Sequence, residues 1–428
     1  MKNIIKSITA FLLCACLFLS VGCTDKTKNS THINPEEEAA VGNGAIRPLL
    51  PETITDEDVS AKKLGEAVLS DSELPYLWSY SYLNETEKQI YRVMLNMIRN
   101  VYCGWVDLGY VGSDSSGKVA RAYRAVTNDF PEYYWIPTSY YITSKNSNVA
   151  IAFQKHELED GYGYTKDQIL RQEEELNAEI TRFINKTKNA KTDFEKELIL
   201  HDAMCEMIVY GESASTGSEN DAYSIYGALV NRHAVCEGYA RAFKLLCKYV
   251  GIECILITGD SKGVGHMWNM VKLDNQWYHV DVTWDDLRDK PIHTYLNVTE
   301  LQIRADHDID LTYEKAASNL ASKGNSFNFH IPPATSLTYN YFYKIGCIID
   351  DNPVTPAVDE LIKQYNNGKT YAELFFADSN AQEDFKNNYP TYVVEIQKKC
   401  NEKLGGMYFK LQTISFPSNC CIIYFELQ

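Results

Sequence analysis

Apolar side chains that recur every three or four residues predict several amphipathic helices along the chain. One such run extends from Cys236 to Val250 and is followed by Gly251, a residue typical of helix C-termini, so a helix is predicted to begin at Cys236. Three further helices are indicated by capping-box pairs that precede apolar runs. These pairs are Asn84 and Glu87, Thr165 and Gln168, and Thr192 and Glu195.

Short apolar runs between turn-forming residues predict β-strands in the middle of the chain. Glu253–Thr258 is predicted as a buried strand, and Gly259–Gly265, with three glycines, as a loop. His266–Leu273 and Trp277–Trp284 are predicted as a hairpin that turns at Asp274-Asn275.

A smaller α+β unit is predicted beyond about residue 335. Its first helix is expected to begin at Thr355-Pro356, with proline at the first helical position, and to end at Gly368. The other elements predicted there are a helix near 390–402 and strands near 341–349, 371–377, 407–416 and 420–427. Residues 129–143, near the other end of the chain, are predicted as a turn followed by strands.

The N-terminus resembles an export signal. Lys2 and Lys6 precede an apolar run, residues 8–21, that is shorter than the about 20 residues needed to span a bilayer. The small residues before Cys23 resemble a bacterial lipobox, in which the cysteine is lipidated, although Ser20 stands where the commonest pattern has Leu. We therefore expect an outward-facing membrane lipoprotein anchored at Cys23. Ordinary signal cleavage, with a secreted product, is the alternative.

Residues 24–60 are rich in polar residues and proline and have few large apolar side chains, which predicts a tether. The whole pattern indicates an α+β protein with a helical N-terminal region, a central core and a small C-terminal α+β unit. The predicted divisions are a signal peptide (1–22), a disordered tether (23–70), an N-terminal α/β region (71–160), a catalytic domain (161–330) and the C-terminal unit (331–428).

Charge and cysteine content narrow the function classes. The 428 residues carry 57 acidic against 41 basic side chains, a net charge of −16, so neither nucleic acid nor an anionic membrane surface is an expected partner. Nine cysteines follow Cys23, none of them in a Cys-x-x-Cys motif, so a zinc or redox site is not expected. Cys247 and Cys347 lie in apolar runs typical of a core, and the pairing of the nine is left open.

Cys236, His266 and Asp281 form the pattern of a thiol enzyme: a nucleophile, a general base and a residue that orients the base. A helix N-terminus at Cys236 would favour the thiolate, which the neighbouring Glu237 opposes modestly. A hairpin centred on Asp274-Asn275 places position 268 opposite 281, and His266 then lies diagonally from Asp281 on the same face.

The motifs around these residues resemble the transglutaminase-like superfamily, a papain-like α+β fold of thiol acyl-transfer enzymes and peptidases. They are Tyr226-Gly-Ala-Leu with Ala234–Phe243, then His266-Met-Trp-Asn, then Trp277–Trp284, and the similarity covers roughly 195–300. The resemblance implies that Cys236 is the nucleophile, His266 the base and acid, and Asp281 the orienting residue. It implies no metal and no organic cofactor, and it leaves hydrolysis and transamidation open.

Other side chains have two readings each. Tyr226 is a candidate second donor for the oxyanion or a core residue, and His233 a substrate contact or a solvated loop residue. Trp268 and Trp284 either line the cleft or pack the sheet. His279 is expected to be structural. His201-Asp202, in the middle of a helix, is expected to be a capping or buried hydrogen-bonding pair rather than a second acid–base pair.

The sequence therefore predicts a cell-surface thiol enzyme that hydrolyses or transfers amide or peptide bonds through an acyl-thioester on Cys236. Its expected substrate is a peptide or protein, with cell-wall peptides among the candidates. The alternatives are a protein cross-linking transglutaminase and a non-catalytic surface protein that binds peptide or cell-wall glycan.

Overall fold

Three groups of helices and strands follow one another along the chain in the computed structural model. The residues that it describes are 47–49, 63–136, 139–145, 148–153, 166–211, 219–287, 290–312, 327–350, 352–405, 409–415 and 420–427. They belong to one compact unit, Ala39–Gln428. The predicted signal peptide, its lipidation site Cys23 and most of the predicted tether lie outside the described residues, and the domain boundaries stay predictions.

The first group combines helices with a four-stranded sheet. Its elements are β1 (Arg47–Leu49), α1 (Trp78–Ser81), α2 (Glu85–Arg99), β2 (Val106–Tyr110), α3 (Ser115–Asp129), β3 (Ser139–Lys145) and β4 (Asn148–Phe153), with strand order β1-β3-β4-β2. The capping box of Asn84 and Glu87 is confirmed at the start of α2. Helix α3 was not predicted, although Val119, Ala122 and Val126 lie on its buried face at helical spacing.

The second group holds the candidate site. It comprises α4 (Lys166–Lys186), α5 (Asp193–Met207), β5 (Val209–Tyr210), β6 (His233–Ala234), α6 (Cys236–Tyr249), β7 (Glu253–Ser261), β8 (Val264–Leu273), β9 (Gln276–Val280), α7 (Val282–Asp285), β10 (Leu296–Val298), α8 (Glu300–Ile303) and β11 (His307–Ile309). The capping box of Thr192 and Glu195 is confirmed, whereas Thr165 lies outside the described residues. Strands β10-β9-β8-β7-β11 form an antiparallel sheet, and α6 packs against β7 and β8 through Ala240, Leu256 and Met267.

The hairpin register is the one predicted, but two strand limits differ. Leu273 pairs with Gln276 around Asp274-Asn275, and both turn residues have positive φ, as a type I′ turn requires. The predicted loop over Gly259–Gly265 is wrong, because a second two-residue turn, Lys262-Gly263, lets β7 and β8 pair along their whole length. The last strand ends at Val280 rather than Trp284, because Asp281 caps helix α7.

The third group is the predicted C-terminal α+β unit. It comprises α9 (Tyr341–Ile345), β12 (Ile348–Ile349), α10 (Val354–Asn366), β13 (Tyr371–Phe376), α11 (Ser379–Asn387), α12 (Tyr389–Lys403), β14 (Phe409–Ser415) and β15 (Cys420–Leu427), in a sheet ordered β12-β13-β15-β14. The strand predicted near 341–349 is wrong in its first half, since Asn340 caps helix α9. Helix α10 begins at Val354, which puts Pro356 at its third position and not its first.

Buried side chains form a core in each group, and the cores share residues across the groups. Phe327 and Phe329 join the N-terminal core, while Phe342 and Phe375 join the core beneath α6. The α+β class predicted from the sequence is therefore the observed one. Within the described residues, every helix is too short or too polar to serve as a membrane span.

Candidate active site

Cys236 is the first residue of helix α6. Val235 precedes it in extended conformation as the N-cap, and the thiol is buried with 8% of the residue exposed. The first backbone N–H groups of a helix have no partner within it and carry its positive end, so they favour an anion there. The carboxylate of Glu237, which opposes this effect, accepts a hydrogen bond from Arg241 Nε at 2.7 Å and is thereby partly neutralised.

His266 lies on strand β8, beside the start of α6. Asn269, three residues on, donates a hydrogen bond from Nδ2 to the carbonyl of Ala240 at 2.9 Å, which ties the strand to the helix. His266 Nε2 donates to Asp281 Oδ2 at 2.6 Å, and the Cys236 thiol lies close enough to the imidazole to raise the pKa of His266. The fold thus brings together the three residues that the sequence singled out.

Asp281 uses its two carboxylate oxygens for different tasks. Oδ1 accepts hydrogen bonds from the backbone N–H of Thr283 and Trp284 at 3.0 and 3.2 Å and so caps helix α7. Oδ2 accepts from His266. The cap fixes the orientation of the carboxylate, and with it the position of the imidazole, because Asp281 is fully buried.

The charges of this pair reinforce each other. Burial alone would lower the pKa of His266, but the neighbouring Asp281 carboxylate and the Cys236 thiol raise it to about 10. Burial alone would raise the pKa of Asp281, but His266 and His307 hold it well below its ordinary range. His266 is therefore an imidazolium at neutral pH, the form that stabilises a neighbouring thiolate.

His307, on the edge strand β11, is a member of this site that the sequence analysis missed. Its Nε2 donates to Asp281 Oδ2 at 3.0 Å and its Nδ1 to Asp306 Oδ1 at 2.7 Å. The two carboxylates raise its pKa against the effect of burial. The position of β11 beside β7 comes from tertiary pairing, and the only sequence signal was the charged triplet Asp306-His307-Asp308.

The two tryptophans occupy different environments. Trp268 is buried and donates from Nε1 to His279 Nδ1 at 3.1 Å, so it packs the sheet behind His266. Trp284 is half-buried, with its ring centroid 6.2 Å from that of His266 and the Lys262 ammonium 4.6 Å above it. Burial lowers the pKa of His279 to about 3, so this histidine is neutral. Of the two, Trp284 is the one that is partly exposed beside His266, and its place in a substrate cleft stays a prediction.

Tyr226 and His233 have local partners. The Tyr226 hydroxyl donates to the Glu175 carboxylate, and its ring stacks on Tyr134 with centroids 5.5 Å apart. His233, in β6, is half-buried, and its Nδ1 lies 3.0 Å from the carbonyl of Asn231. The suggested roles of both residues stay predictions.

A second buried polar cluster joins α5 to the C-terminal unit. His201 is fully buried between Asp202 and Asp285, the hydrogen-bonding role expected for it. Asp202 also contacts His293, whose other ring nitrogen contacts Glu373 on β13. Among the described residues, two groups bring donor atoms within reach of one metal ion: His201, Asp202 and His293, and His266, Asp281 and His307.

Eight of the described cysteines are free thiols, namely Cys205, Cys236, Cys247, Cys254, Cys347, Cys400, Cys420 and Cys421. Burial raises the pKa of six of them: Cys205, Cys247, Cys347, Cys400, Cys420 and Cys421. Cys247 and Cys347 are buried, as predicted for core residues. Cys236 differs from these six in its position, since it adjoins His266 at a helix N-terminus.

Part of the chain is similar in sequence to known proteins. Residues 180–282 match the model of the Transglutaminase-like superfamily. The chain is 30% identical to kyphoscoliosis peptidase from Homo sapiens over 109 residues, which cover 23% of this chain and 16% of that protein. It is 36% identical to Lim and transglutaminase domain protein ltd-1 from Caenorhabditis elegans over 61 residues, 11% of this chain and 8% of that protein. The chain thus spans less than a fifth of these curated relatives.

Solved structures show weaker likeness over a larger share of the chain. The crystal structure of a TGase has a TM-score of 0.24 and 12% identity, covering 42% of this chain and 51% of the other. The periplasmic domain of TgpA from Pseudomonas aeruginosa has a TM-score of 0.19 and 11% identity, covering 32% of this chain and 53% of the other.

Proposed function

Because the chain carries a transglutaminase-like domain over residues 180–282, we propose that it is a thiol enzyme that cleaves amide or peptide bonds. The observation that supports this most directly is the placement of His266, which is hydrogen-bonded to Asp281 and lies beside the thiol of Cys236. A nucleophile, a base and a group that orients the base are the parts that thiol acyl transfer requires.

In the proposed reaction the Cys236 thiolate attacks the carbonyl carbon of the substrate. His266 then gives its proton to the leaving amine as the C–N bond breaks, and an acyl-thioester remains on Cys236. Water then attacks this thioester while His266 takes up a proton from the water, which releases a carboxylic acid and restores the thiolate–imidazolium pair. Asp281 keeps its charge throughout and stabilises the imidazolium.

The oxyanion formed in each step needs hydrogen-bond donors. The backbone N–H of Cys236 at the start of α6 is one such donor in the proposal. Tyr226 would have to release Glu175 before its hydroxyl could be the second. Trp284, half-buried beside His266, is the proposed contact for the substrate.

The proposed substrate is a peptide or protein outside the cell membrane. The N-terminal sequence supports export and a lipid anchor at Cys23, and the net charge of −16 disfavours nucleic acid. Hydrolysis is preferred to cross-linking only because the sequence marks no second site for a lysine-like amine.

The test is to trap the acyl-enzyme. The protein is incubated with a peptide mixture, acid-quenched and mapped by mass spectrometry, and we expect an acyl adduct on Cys236 together with cleaved peptides. Cys236→Ala should lose both, whereas Cys103→Ala, a change at a half-buried thiol outside the site, should retain both.

Two other results would replace the proposal. Incorporation of a labelled amine into a glutamine-containing protein would indicate a cross-linking transglutaminase. A Cys236→Ala strain that keeps every cellular function of the wild type would indicate a non-catalytic binding protein.

A further inference from the structure

The second polar cluster consists of His201, Asp202, Asp285, His293 and Glu373, and none of the proposed chemistry uses it. Asp202 Oδ1 lies 3.0 Å from His201 Nδ1 and 3.0 Å from His293 Nε2. The imidazoles are buried, with centroids 5.5 Å apart, and belong to α5 and to the segment after α7.

In each imidazole, the ring nitrogen that points away from Asp202 is hydrogen-bonded to a separate carboxylate. His201 Nε2 lies 3.1 Å from Asp285 Oδ2, and Tyr295 N–H donates to both oxygens of Asp285. His293 Nδ1 lies 2.8 Å from Glu373 Oε1, and the backbone N–H of His293 donates to Glu373 Oε2 at 2.7 Å. A carboxylate behind each imidazole orients metal-binding histidines in many proteins, because it fixes the tautomer and raises ligand basicity.

With a neutral imidazole at each position, this arrangement places three lone-pair donors around one point. If each neutral imidazole carries its proton on the outer nitrogen and donates that N–H to its carboxylate, then His201 Nδ1, His293 Nε2 and Asp202 Oδ1 all present electron pairs to the same point. Such atoms repel unless positive charge lies between them, supplied either by additional protons or by one cation.

The spacing fits one divalent ion. Ligand atoms about 2.1 Å from a metal lie about 3.0–3.4 Å from one another, and the two measured separations are 3.0 Å. The three atoms lie within 4.8 Å of one another. Asp202 is 29% exposed, which leaves one side open for entry of an ion and for water as a further ligand.

We propose that His201, Asp202 and His293 form a binding site for a divalent transition-metal ion, with Asp285 and Glu373 as the carboxylates that orient the two imidazoles. Two imidazoles and one carboxylate suit ions of the Zn²⁺ and Fe²⁺ class and not Ca²⁺ or Mg²⁺, which prefer oxygen ligands. The family resemblance implies no metal, so a metal ion bound here would depart from that expectation.

The bound ion would join the central group to the C-terminal unit. His201 and Asp202 lie on α5, whereas Glu373, which holds His293, lies on β13. An ion that binds only the folded chain stabilises the fold. The stabilisation grows with the logarithm of the ratio of the ion concentration to the dissociation constant. We therefore expect Zn²⁺ to raise the melting temperature.

The test uses Zn²⁺ on the Cys236→Ser protein, so that the candidate nucleophile cannot bind the ion. After metal removal and dialysis against Zn²⁺, we expect one tightly held zinc per chain, together with a rise in melting temperature. Asp202→Asn and His293→Gln in the same background should weaken binding at least about tenfold, and Glu373→Gln about 10–100-fold. Asp359→Asn, a surface change on α10, is the matched control and should bind like its parent.

Circular dichroism of each metal-free variant checks that it is folded. Absence of stoichiometric zinc in the Cys236→Ser protein would overturn the proposal, and this measurement depends on none of the cluster variants. Undiminished zinc binding in folded Asp202→Asn would also overturn the proposal. So would loss of zinc binding in His307→Gln, because the ion would then lie at the cluster of His266, Asp281 and His307. None of these results depends on peptidase activity.

Discussion

His307 Nε2 lies 3.0 Å from Asp281 Oδ2, the same oxygen that accepts the 2.6 Å hydrogen bond of His266. The carboxylate is thus shared by two imidazoles, and its other oxygen caps a helix. A carboxylate with four donors has little freedom to rotate, so His307 acts on His266 through Asp281. We regard it as a positioning residue.

His307→Phe should therefore destabilise the fold and loosen the site. Loss of a hydrogen bond to a buried charged group costs about 1.5–3 kcal/mol, so we expect the free energy of unfolding to fall by that amount. His307→Gln retains an N–H donor and should lose less. Denaturant unfolding of both variants measures the two losses of stability. The alkylation rate of Cys236 should fall more in His307→Phe than in His307→Gln. If His307→Phe is as stable as the wild type, the positioning role of His307 is contradicted.

Cys236 should be the most reactive thiol at neutral pH. It adjoins an imidazolium, whereas burial raises the pKa of six other cysteines. Iodoacetamide labelling with peptide mass spectrometry reports every cysteine separately. We expect His266→Ala to slow labelling of Cys236 at least about tenfold and to leave the half-buried Cys103 unchanged. If Cys236 is inert in the wild type, the thiol is structural and the enzyme proposal fails.

The two roles of Asp281 can be separated by substitution. Asp281→Asn keeps an oxygen for the N–H groups of Thr283 and Trp284 but removes the charge, so catalysis should fall by about 10⁴-fold, as in the Ser-His-Asp triad. Asp281→Ala should be equally inactive and lose about 0.5–2 kcal/mol more stability, because the cap of α7 is gone. Turnover and thermal unfolding of both variants test this. An Asn variant with near-normal turnover would exclude Asp281 from the reaction.

The His266–Asp281 pair should make the free energy of unfolding fall as the pH becomes alkaline. The pKa of His266 is raised from its ordinary 6.5 to about 10, so the folded chain holds this proton more tightly than the unfolded one. The resulting stabilisation is fully present below about pH 6.5 and is lost as pH rises to about 10. His201 and His293, whose pKa values are raised to about 9 and about 10, add to this trend.

The comparison of wild type with His266→Gln isolates the contribution of His266. Urea unfolding across this range should show a stability difference that shrinks with increasing pH. A difference that is constant from about pH 6 to about pH 10 would show that His266 is not paired as an imidazolium.

Gly259 should tolerate no side chain. A Cβ at this position would lie 2.0 Å from the carbonyl oxygen of Asp308 and 2.8 Å from the Trp268 ring, so Gly259→Ala must displace β11, which carries His307. We expect a loss of about 1–3 kcal/mol in the free energy of unfolding, with slower labelling of Cys236. Gly65→Ala, where nothing lies within 4 Å, is the control and should change neither property. A neutral Gly259→Ala would mean that β11 can move without cost.

Local sequence determined several features of this protein. The helix that begins at Cys236 and the turn at Asp274-Asn275 follow from short-range patterns, an apolar repeat in one case and two residues that tolerate positive φ in the other. Since a two-residue turn fixes the register of its hairpin, the neighbourhood of His266 and Asp281 was also predictable. The same local rules failed at Gly259–Gly265, where strand pairing continued past the glycines.

Only the tertiary structure decided which buried imidazoles and carboxylates, far apart in the sequence, become partners. His307 reaches Asp281 because β11 pairs with β7, and His293 reaches Asp202 across 91 residues of sequence. Nothing within a few residues of either histidine encodes these contacts. Buried imidazoles and carboxylates must find partners of opposite charge, but the sequence alone does not specify which partners, because the choice depends on how strands and loops far apart in the chain come together.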